Sequence, residues 1–183
     1  GGDLAVGAMT IITSVSQLVT LPLQGVCQGG QPIISYNYGA GHGDRVKKTF
    51  YLVFSVCMTY TVLFWAAVLL FPSVFAGIFT TNAELSGYTS WALRIYMAGI
   101  FACGAQCSCQ QSFMALGQAK VSLLLACLRK IVLLIPLILI LPHVLPFDPV
   151  FSVFLAEPVS DIAAAVITTI TFLTRFNRIL EMR

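Results

Sequence analysis

Residues 4–41 read LAVGAMTIITSVSQLVTLPLQGVCQGGQPIISYNYGAG, and this stretch decides the fold class. It begins with an apolar run, Leu4 to Leu23, which is long enough to cross about 30 Å of hydrocarbon as a helix. The block from Gly25 to Gly41 then adds glycines, glutamines and an asparagine. Because Pro32 lacks a backbone N–H, we expect the helix to kink or loosen there and to free a carbonyl upstream. Lipid cannot satisfy such groups, so the block is predicted to face protein or a water-filled cavity.

The glycines of this block have a second interpretation. Small residues such as Gly25, Gly29 and Gly30 let membrane helices approach closely, so each of them is equally consistent with helix packing. For the block as a whole, the combination of glycines with glutamines and an asparagine favours a cavity wall.

The composition places the chain in a lipid bilayer, its first predicted partner. Hydrophobic residues make up 58% of the sequence and charged residues only 9%, whereas a soluble domain carries about 25% charged residues. The net charge of +3 is small and its basic residues are dispersed, so no nucleic-acid partner is predicted. No Walker loop, nucleotide fingerprint, nucleophile elbow or zinc-binding helix motif is present. An ATP-driven pump and a membrane protease are therefore disfavoured, and neither enzyme activity nor a cofactor is predicted.

The cysteines invite a metal interpretation that their spacing does not support. All six lie in apolar segments, and Cys103, Cys107 and Cys109 form a C-x3-C-x-C pattern. No histidine or further thiol lies nearby in the sequence, so the usual spacing of metal ligands is not met. We predict no metal site and interpret these residues as small packing side chains. Disulfides are not expected for thiols held at membrane depth.

Five segments are long and apolar enough to cross a membrane if polar interruptions are allowed. The chain is treated as one domain, 1–183, with predicted spans at about 4–38, 46–71, 88–116, 121–141 and 149–172. Phe71-Pro72 ends the second span, and either Thr81 or Asn82 is predicted to cap the helix that follows. The chain is expected to break between the fourth and fifth spans, at Pro142, Pro146 and Pro149.

The basic residues assign the two sides of the membrane. They follow the first, third and fifth spans, and the loops 72–87 and 142–148 contain none; the markers are Arg45, Lys47, Lys48, Lys120, Arg175, Arg178 and Arg183. This positive-inside pattern predicts a multi-pass protein of the plasma membrane with a cytoplasmic C-terminus. The sequence starts at Gly1-Gly2-Asp3 without a methionine, so we expect it to be part of a longer protein that has one more helix upstream.

Four ionisable residues lie well inside the predicted spans: Arg129, Lys130, Glu157 and Asp161. Each such residue costs about 2.5–3.5 kcal/mol near the centre of a membrane helix, so partners or a function are expected. Glu157 and Asp161 are four residues apart and share one helix face. Arg129 and Asp161 come to similar depths when about 1.5 Å is counted per residue, so an ion pair between them is allowed. Lys130 is expected on a different face, reaching toward the interface.

The charged residues leave two interpretations open. In the first, Arg129 is a structural charge partner that neutralises Asp161 or Glu157 and holds two helices together. In the second, a carboxylate faces a wet cavity and exchanges protons or sodium, since two neighbouring acids in a low dielectric favour one of them keeping a proton. Pro158, between the two acids, loosens the helix and is consistent with the second interpretation.

Several segments, taken in order, resemble a known family: QPIISYNYGAG at 31–41 followed by DRVKK at 44–48, LRI at 93–95, FMALG at 113–117, LRK at 128–130 with Ile135-Pro136, and AEPVSD at 156–161. The chain resembles MATE multidrug efflux transporters, and within them the MepA-like subgroup. The resemblance extends over nearly the whole sequence. The chain is similar to the C-terminal half of such a transporter without that half's first helix.

The resemblance implies an all-α integral membrane protein with about five transmembrane helices, forming one of two lobes that face each other across a central cavity. It implies secondary antiport, with small organic cations exported in exchange for Na+ or H+ and with the missing N-terminal lobe as partner. The residues expected to supply one wall of this substrate and ion pathway are Gln24, Gln28, Gln31, Tyr36, Asn37, Gln106, Gln110, Glu157 and Asp161. The family's known coupling carboxylates lie on helices outside this sequence.

Two alternatives remain beside efflux. The first is a flippase for lipids or lipid-linked oligosaccharides, whose cavity needs several basic residues facing phosphate. Here only Arg129 and Lys130 lie deep, against two acids, so a cation site fits the sequence better. The second is a truncated, non-functional fragment, since one lobe cannot enclose a pathway between two lobes. We expect no transport from residues 1–183 alone.

Overall fold

The computed structural model describes residues 2–144 and 149–181, and each regular element in these ranges is helical. The helices are α1 (Gly2–Gly39), α2 (Gly43–Leu70), α3 (Pro72–Phe79), α4 (Ala83–Tyr96), α5 (Cys103–Ala115), α6 (Ala119–Cys127), α7 (Ile135–Val144) and α8 (Pro149–Glu181). A 3-10 segment, Met97–Ala102, joins α4 to α5, and a π-helical segment, Leu128–Leu134, joins α6 to α7. The predicted break at Pro146 and the basic residue Arg183 lie outside the described residues.

The predicted all-α membrane fold is confirmed. Within the described residues, four helical stretches are long and apolar enough to cross a membrane: Asp3–Gly39, Gly43–Leu70, Ala119–Val144 and Val150–Glu181. The remaining predicted span, 88–116, is divided between α4, the 3-10 segment and α5. The predicted loop 72–87 contains a short helix, α3, which begins at Pro72 because proline suits the first turn of a helix.

The 3-10 segment interrupts the predicted span 88–116, and side chains of α2 bond to two of its carbonyls. Trp65 Nε1 on α2 donates a hydrogen bond to the Ala98 carbonyl at 3.0 Å. The Thr61 hydroxyl, also on α2, donates to the Phe101 carbonyl at 3.1 Å. A change from α to 3-10 bonding disturbs the regular ladder, and side chains of a neighbouring helix can satisfy the affected carbonyls. Hydrogen bonds from α2 side chains therefore stabilise the 3-10 segment.

The start of α4 follows the predicted cap. The Asn82 side-chain oxygen accepts hydrogen bonds from the backbone N–H of Glu84 at 2.9 Å and of Leu85 at 3.2 Å. An asparagine in this position satisfies N–H groups that lack a partner within the helix. The prediction that Thr81 or Asn82 caps this helix is confirmed for Asn82.

Helix α1 continues through two prolines, Pro22 and Pro32, so the loosening predicted at Pro32 does not end the helix. Proline removes the N–H that would bond to the carbonyl four residues earlier, and for Pro22 that carbonyl belongs to Leu18. The Tyr60 hydroxyl of α2 donates to this carbonyl at 2.8 Å. A side chain of the neighbouring helix thus replaces the lost backbone bond.

Removing the Tyr60 hydroxyl tests this replacement. We expect Tyr60→Phe to lower the free energy of unfolding by about 0.5–1.5 kcal/mol, because the Leu18 carbonyl loses its donor. Combining it with Pro22→Ala, which restores a backbone N–H, is expected to reduce that loss. Thermal unfolding in detergent measures both. An equal loss from Tyr60→Phe in the presence and absence of Pro22 would contradict the coupling.

The helices pack around two apolar cores. One lies between α1, α2 and α4 and includes Ile12, Val15, Leu93 and Met97. The other lies between α2, α5 and α8 and is dominated by the aromatic rings of Phe50, Phe113, Phe172 and Phe176. The centroids of Phe50 and Phe172 lie 4.5 Å apart. These contacts fix α1, α5 and α8 relative to each other, and so fix the space between them.

The turns that end α1 and α5 have the same backbone geometry. Gly41 and Gly117 take positive φ angles of 75° and 74°, which glycine adopts without strain. The N–H of the next residue then bonds back to a helix carbonyl, from His42 to Asn37 at 2.9 Å and from Gln118 to Phe113 at 2.8 Å. Both turns lie at the end of the bundle that carries the second core and the C-terminal part of α8.

Candidate functional site

A cavity of about 210 Å³ lies between α1, α5 and the π-helical segment. Most of the side chains around it are polar, which is unusual for helices of this hydrophobicity. Its lining consists of Thr20, Leu23, Gln24, Cys103, Gln106, Cys107, Gln110, Gln111 and Arg129. The predicted pathway residues Gln24, Gln106 and Gln110 are therefore brought together at one cavity.

The glutamines of α5 are held in different ways. Gln106 is only 3% exposed, and its side-chain oxygen is buried without a hydrogen-bond partner among the described residues. Gln110 Nε2 lies 3.5 Å from the Ser122 carbonyl, and the Ser122 hydroxyl donates to the Gln110 carbonyl at 3.3 Å. Gln110 is thus tied to α6, whereas Gln106 keeps an acceptor free. A buried unpaired acceptor is costly, so this oxygen favours a donor or a cation in the cavity.

Arg129 connects the cavity to two acids on α8. Its Nε donates to Asp161 Oδ1 at 2.8 Å, and a terminal guanidinium nitrogen lies 2.5 Å from the same oxygen. The guanidinium also lies 3.7 Å from Glu157 Oε1. The Asp161 side chain is 5% exposed and that of Glu157 is 13% exposed. The Arg129–Asp161 pair considered from helix depth is therefore present, and both acids lie behind Arg129 and outside the cavity lining.

The sequence predicted that Lys130 lies on a different face from Arg129, but in the structure Lys130 also reaches one of the two acids of α8. Its Nζ lies 3.6 Å from Glu157 Oε1, although the side chain remains 58% exposed. The expectation assumed α-helical spacing, but Leu128–Leu134 is π-helical and its wider turn changes the angle between neighbouring side chains. Two bases and two acids therefore form one group of zero formal charge, which we call the ion cluster: Arg129, Lys130, Glu157 and Asp161.

The predicted pathway residues of the second half of α1 lie elsewhere. Gln28 is exposed, Gln31 is half-buried and Tyr36 is 75% exposed, and none of the three lines the cavity. Asn37 is buried and donates from Nδ2 to the Ile33 carbonyl of its own helix at 2.9 Å. Of the predicted pathway residues on α1, the structure thus places Gln24 at the cavity, and the four that follow it lie elsewhere.

The glycines of the same block also differ from one another. A Cβ built on Gly30 would lie 2.6 Å from Val53 Cγ2, so Gly30 permits close packing of α1 on α2. A Cβ on Gly25 or Gly29 would meet nothing within 4 Å. The packing interpretation therefore holds for Gly30, and the other two glycines face open space.

Five cavity residues were missed by sequence reasoning: Thr20, Leu23, Cys103, Cys107 and Gln111. The two cysteines were interpreted as packing residues, since their spacing does not suit a metal. One signal was available, because Cys103, Gln106, Cys107, Gln110 and Gln111 recur at intervals of three and four residues and so share one helix face.

These features define a multi-pass membrane protein of the transporter class. The MatE family model matches residues 2–140. The chain belongs to the MATE family of multidrug transporters.

Individual relatives agree with this assignment. The multidrug export protein MepA of Staphylococcus aureus strain NCTC 8325 is 26% identical over 173 residues, which cover 91% of this chain and 37% of MepA. MepA of Staphylococcus saprophyticus is 25% identical over 174 residues, with the same coverage. The chain thus spans less than half the length of these relatives.

Solved structures show the same fold. The MATE multidrug transporter DinF-BH is 31% identical, with a TM-score of 0.83 over all of this chain and 40% of that chain. An outward-facing MATE transporter of the MOP superfamily superimposes with a TM-score of 0.88 at 18% identity, covering 99% of this chain and 40% of the other. An inward-facing one gives 0.86 at 16% identity, covering 97% and 43%.

Proposed function

We propose that this chain is the C-terminal lobe of a MATE exporter that moves organic cations out of the cell in exchange for Na+ or H+. The observation that carries the proposal is the glutamine-lined cavity, with its buried acceptor on Gln106. Amide oxygens can solvate a positive charge while the apolar parts of the same molecule contact the surrounding helices. MepA is named a multidrug export protein, which supports this substrate class.

The ion cluster lowers the electrostatic cost of a cation in the cavity. Arg129 lines the cavity and by itself would repel a positive substrate. Asp161 and Glu157 lie behind it and offset its charge at contact distances. This arrangement disfavours the flippase alternative, because a phosphate in the cavity requires basic groups that are not already neutralised.

A second lobe is proposed as the partner of the exposed face of α1. Gln28 is exposed on this helix, and neighbouring Gly25 and Gly29 leave open space above the backbone. An amide facing lipid lacks hydrogen-bond partners, so another protein surface or water suits it better. The N-terminal lobe of the same transporter would supply that surface and close the pathway.

The lobe is proposed to move as a unit. The chain superimposes on an outward-facing and an inward-facing transporter with TM-scores of 0.88 and 0.86. The fold of this chain is thus compatible with both states, which supports alternating access by rocking of one lobe against the other. In this proposal the basic end of the bundle, with Arg45, Lys120 and Arg175, faces the cytoplasm.

Glu157 is proposed as the acid that exchanges the coupling ion. Asp161 is bonded to Arg129 through two nitrogens and is almost fully buried. Glu157 is more exposed, and its contacts to Arg129 and Lys130 are 3.7 and 3.6 Å long. The looser of two carboxylates is the easier one for a coupling ion to reach.

Neutralising these acids tests the proposal in the full-length transporter. We expect Glu157→Gln to lower ethidium efflux from energised cells about tenfold or more, equivalent to at least about 1.4 kcal/mol. Asp161→Asn should lower efflux as well, accompanied by reduced protein yield, because it also removes the tightest ion-pair partner of Arg129. The matched control is Glu84→Gln, an exposed acid in the first turn of α4. Unchanged drug resistance in Glu157→Gln at normal expression would remove this residue from the mechanism.

A further inference from the structure

Three thiols from three different helices converge beside the cavity. Cys27 lies on α1, Cys57 on α2 and Cys107 on α5, and all are free. The sulfurs of Cys27 and Cys57 are 3.6 Å apart. Cys107 packs against the apolar core that contains both Cys27 and Cys57. We call these three residues the thiol cluster.

The thiol cluster is open to the cavity on one side only. Cys107 lines the cavity and is half-buried. Cys27 and Cys57 are 2% and 1% exposed and lie behind it. Of these three thiols, Cys107 is therefore the one that a molecule in the cavity reaches, and the paired sulfurs of Cys27 and Cys57 belong to the core behind it.

We propose that the thiol cluster is a binding site for trivalent organoarsenic compounds, which enter through the cavity. Soft sulfur ligands select soft acceptors, and paired thiols hold them more firmly than a single thiol does. In the reaction, R–As=O and two thiols form two As–S bonds. The arsenic–oxygen bond breaks, and the oxygen leaves as water with both thiol protons. No oxidant or reductant is needed.

The two sulfurs that close this ring are those of Cys107 and Cys27. In this proposal Cys107 forms the first bond because it faces the cavity, and Cys27 forms the second from the core against which Cys107 packs. A conventional metal site is not the better explanation, since the described residues contain no group of three or more ligands placed to hold a metal ion. Binding of arsenic through two As–S bonds requires only two thiols.

The first test maps protection in the full-length transporter in detergent, with phenylarsine oxide as the probe. The protein is treated with the probe, denatured in N-ethylmaleimide and digested, and the labelled cysteines are identified by mass spectrometry. We expect Cys27 and Cys107 to be protected while Cys109 and Cys127 are labelled. Protection should be reversed by dimercaptopropanol but not by an equal concentration of 2-mercaptoethanol. Labelling of Cys107 at the untreated level, or reversal by the monothiol, would overturn the proposal.

The second test uses variants. Cys27→Ala and Cys107→Ala should each weaken retention of the probe about 100-fold, because a single thiol loses the advantage of two linked bonds. The matched control, Cys109→Ala, removes a fully buried thiol from the same helix as Cys107 and should retain the probe normally. Normal retention in Cys107→Ala would contradict the assignment. If Cys27→Ala does not fold, the protection map of the unmodified protein decides the question.

Discussion

Replacing Arg129 with leucine is expected to lower the free energy of unfolding by about 3–5 kcal/mol, the loss typical of removing one partner from a buried ion pair. Arg129 contacts both acids of the ion cluster, and Asp161 has a side chain that is 5% exposed. Without the guanidinium, Asp161 either remains charged in a low dielectric or takes up a proton. Lys130 cannot take over, since its contact is with Glu157.

A second variant separates charge balance from packing. In Arg129→Leu/Asp161→Leu, the tightest pair is replaced by apolar side chains, and Lys130 still lies close to Glu157. Paired charges can often be replaced in this way without loss, so the double variant should recover most of the stability. Thermal unfolding of the full-length transporter in detergent measures both. Arg94→Leu, which alters an exposed arginine in the last turn of α4, serves as the control and should change little. Equal losses in the single and double variants would contradict the charge argument.

The second large effect is expected where helix backbones meet, at Gly99 and Gly104. A Cβ on Gly99 would lie 2.7 Å from the Pro158 carbonyl oxygen and 2.8 Å from its Cα. A Cβ on Gly104 would lie 2.6 Å from Thr61 Oγ1 and 2.8 Å from the Cys57 carbonyl oxygen. Most of these atoms belong to the backbone and cannot rotate away. Since added atoms in a packed core typically cost about 1–3 kcal/mol, each alanine should destabilise by at least that amount.

The position of Gly99 gives its substitution a second consequence. It lies in the 3-10 segment and packs on Pro158, the residue after Glu157. Gly99→Ala should therefore push α8 outward and loosen the ion cluster, so that efflux falls together with stability. The control is Gly87→Ala in α4, where an added Cβ meets nothing within 4 Å and alanine favours the helix. The result to look for is a lower unfolding temperature for Gly99→Ala and Gly104→Ala but not for Gly87→Ala. No difference among the three would show that these helix contacts are not tight.

The sequence by itself determined those features that depend on composition, length and local chemistry. Apolar runs of sufficient length placed the chain in a membrane, and the segments around Pro32 and Asp161 indicated the MATE family. The cap of α4 could be narrowed to Thr81 or Asn82 because a capping side chain bonds to N–H groups only two and three residues away, as that of Asn82 does. Counting about 1.5 Å per residue along the helices brought Arg129 and Asp161 to similar depths.

The tertiary structure alone decided which faces meet. The 3-10 segment at Met97–Ala102 and the π-helical segment at Leu128–Leu134 change the angle between successive side chains, and no periodicity in the sequence marks either one. The π-helical segment therefore brings Lys130 close to Glu157. The convergence of cysteines from three helices could not be predicted from the sequence either. Gln24 and Gln106 likewise came to share a cavity while Gln28 and Tyr36 did not. Depth along a helix follows from counting residues, but direction around it depends on packing between segments far apart in the chain.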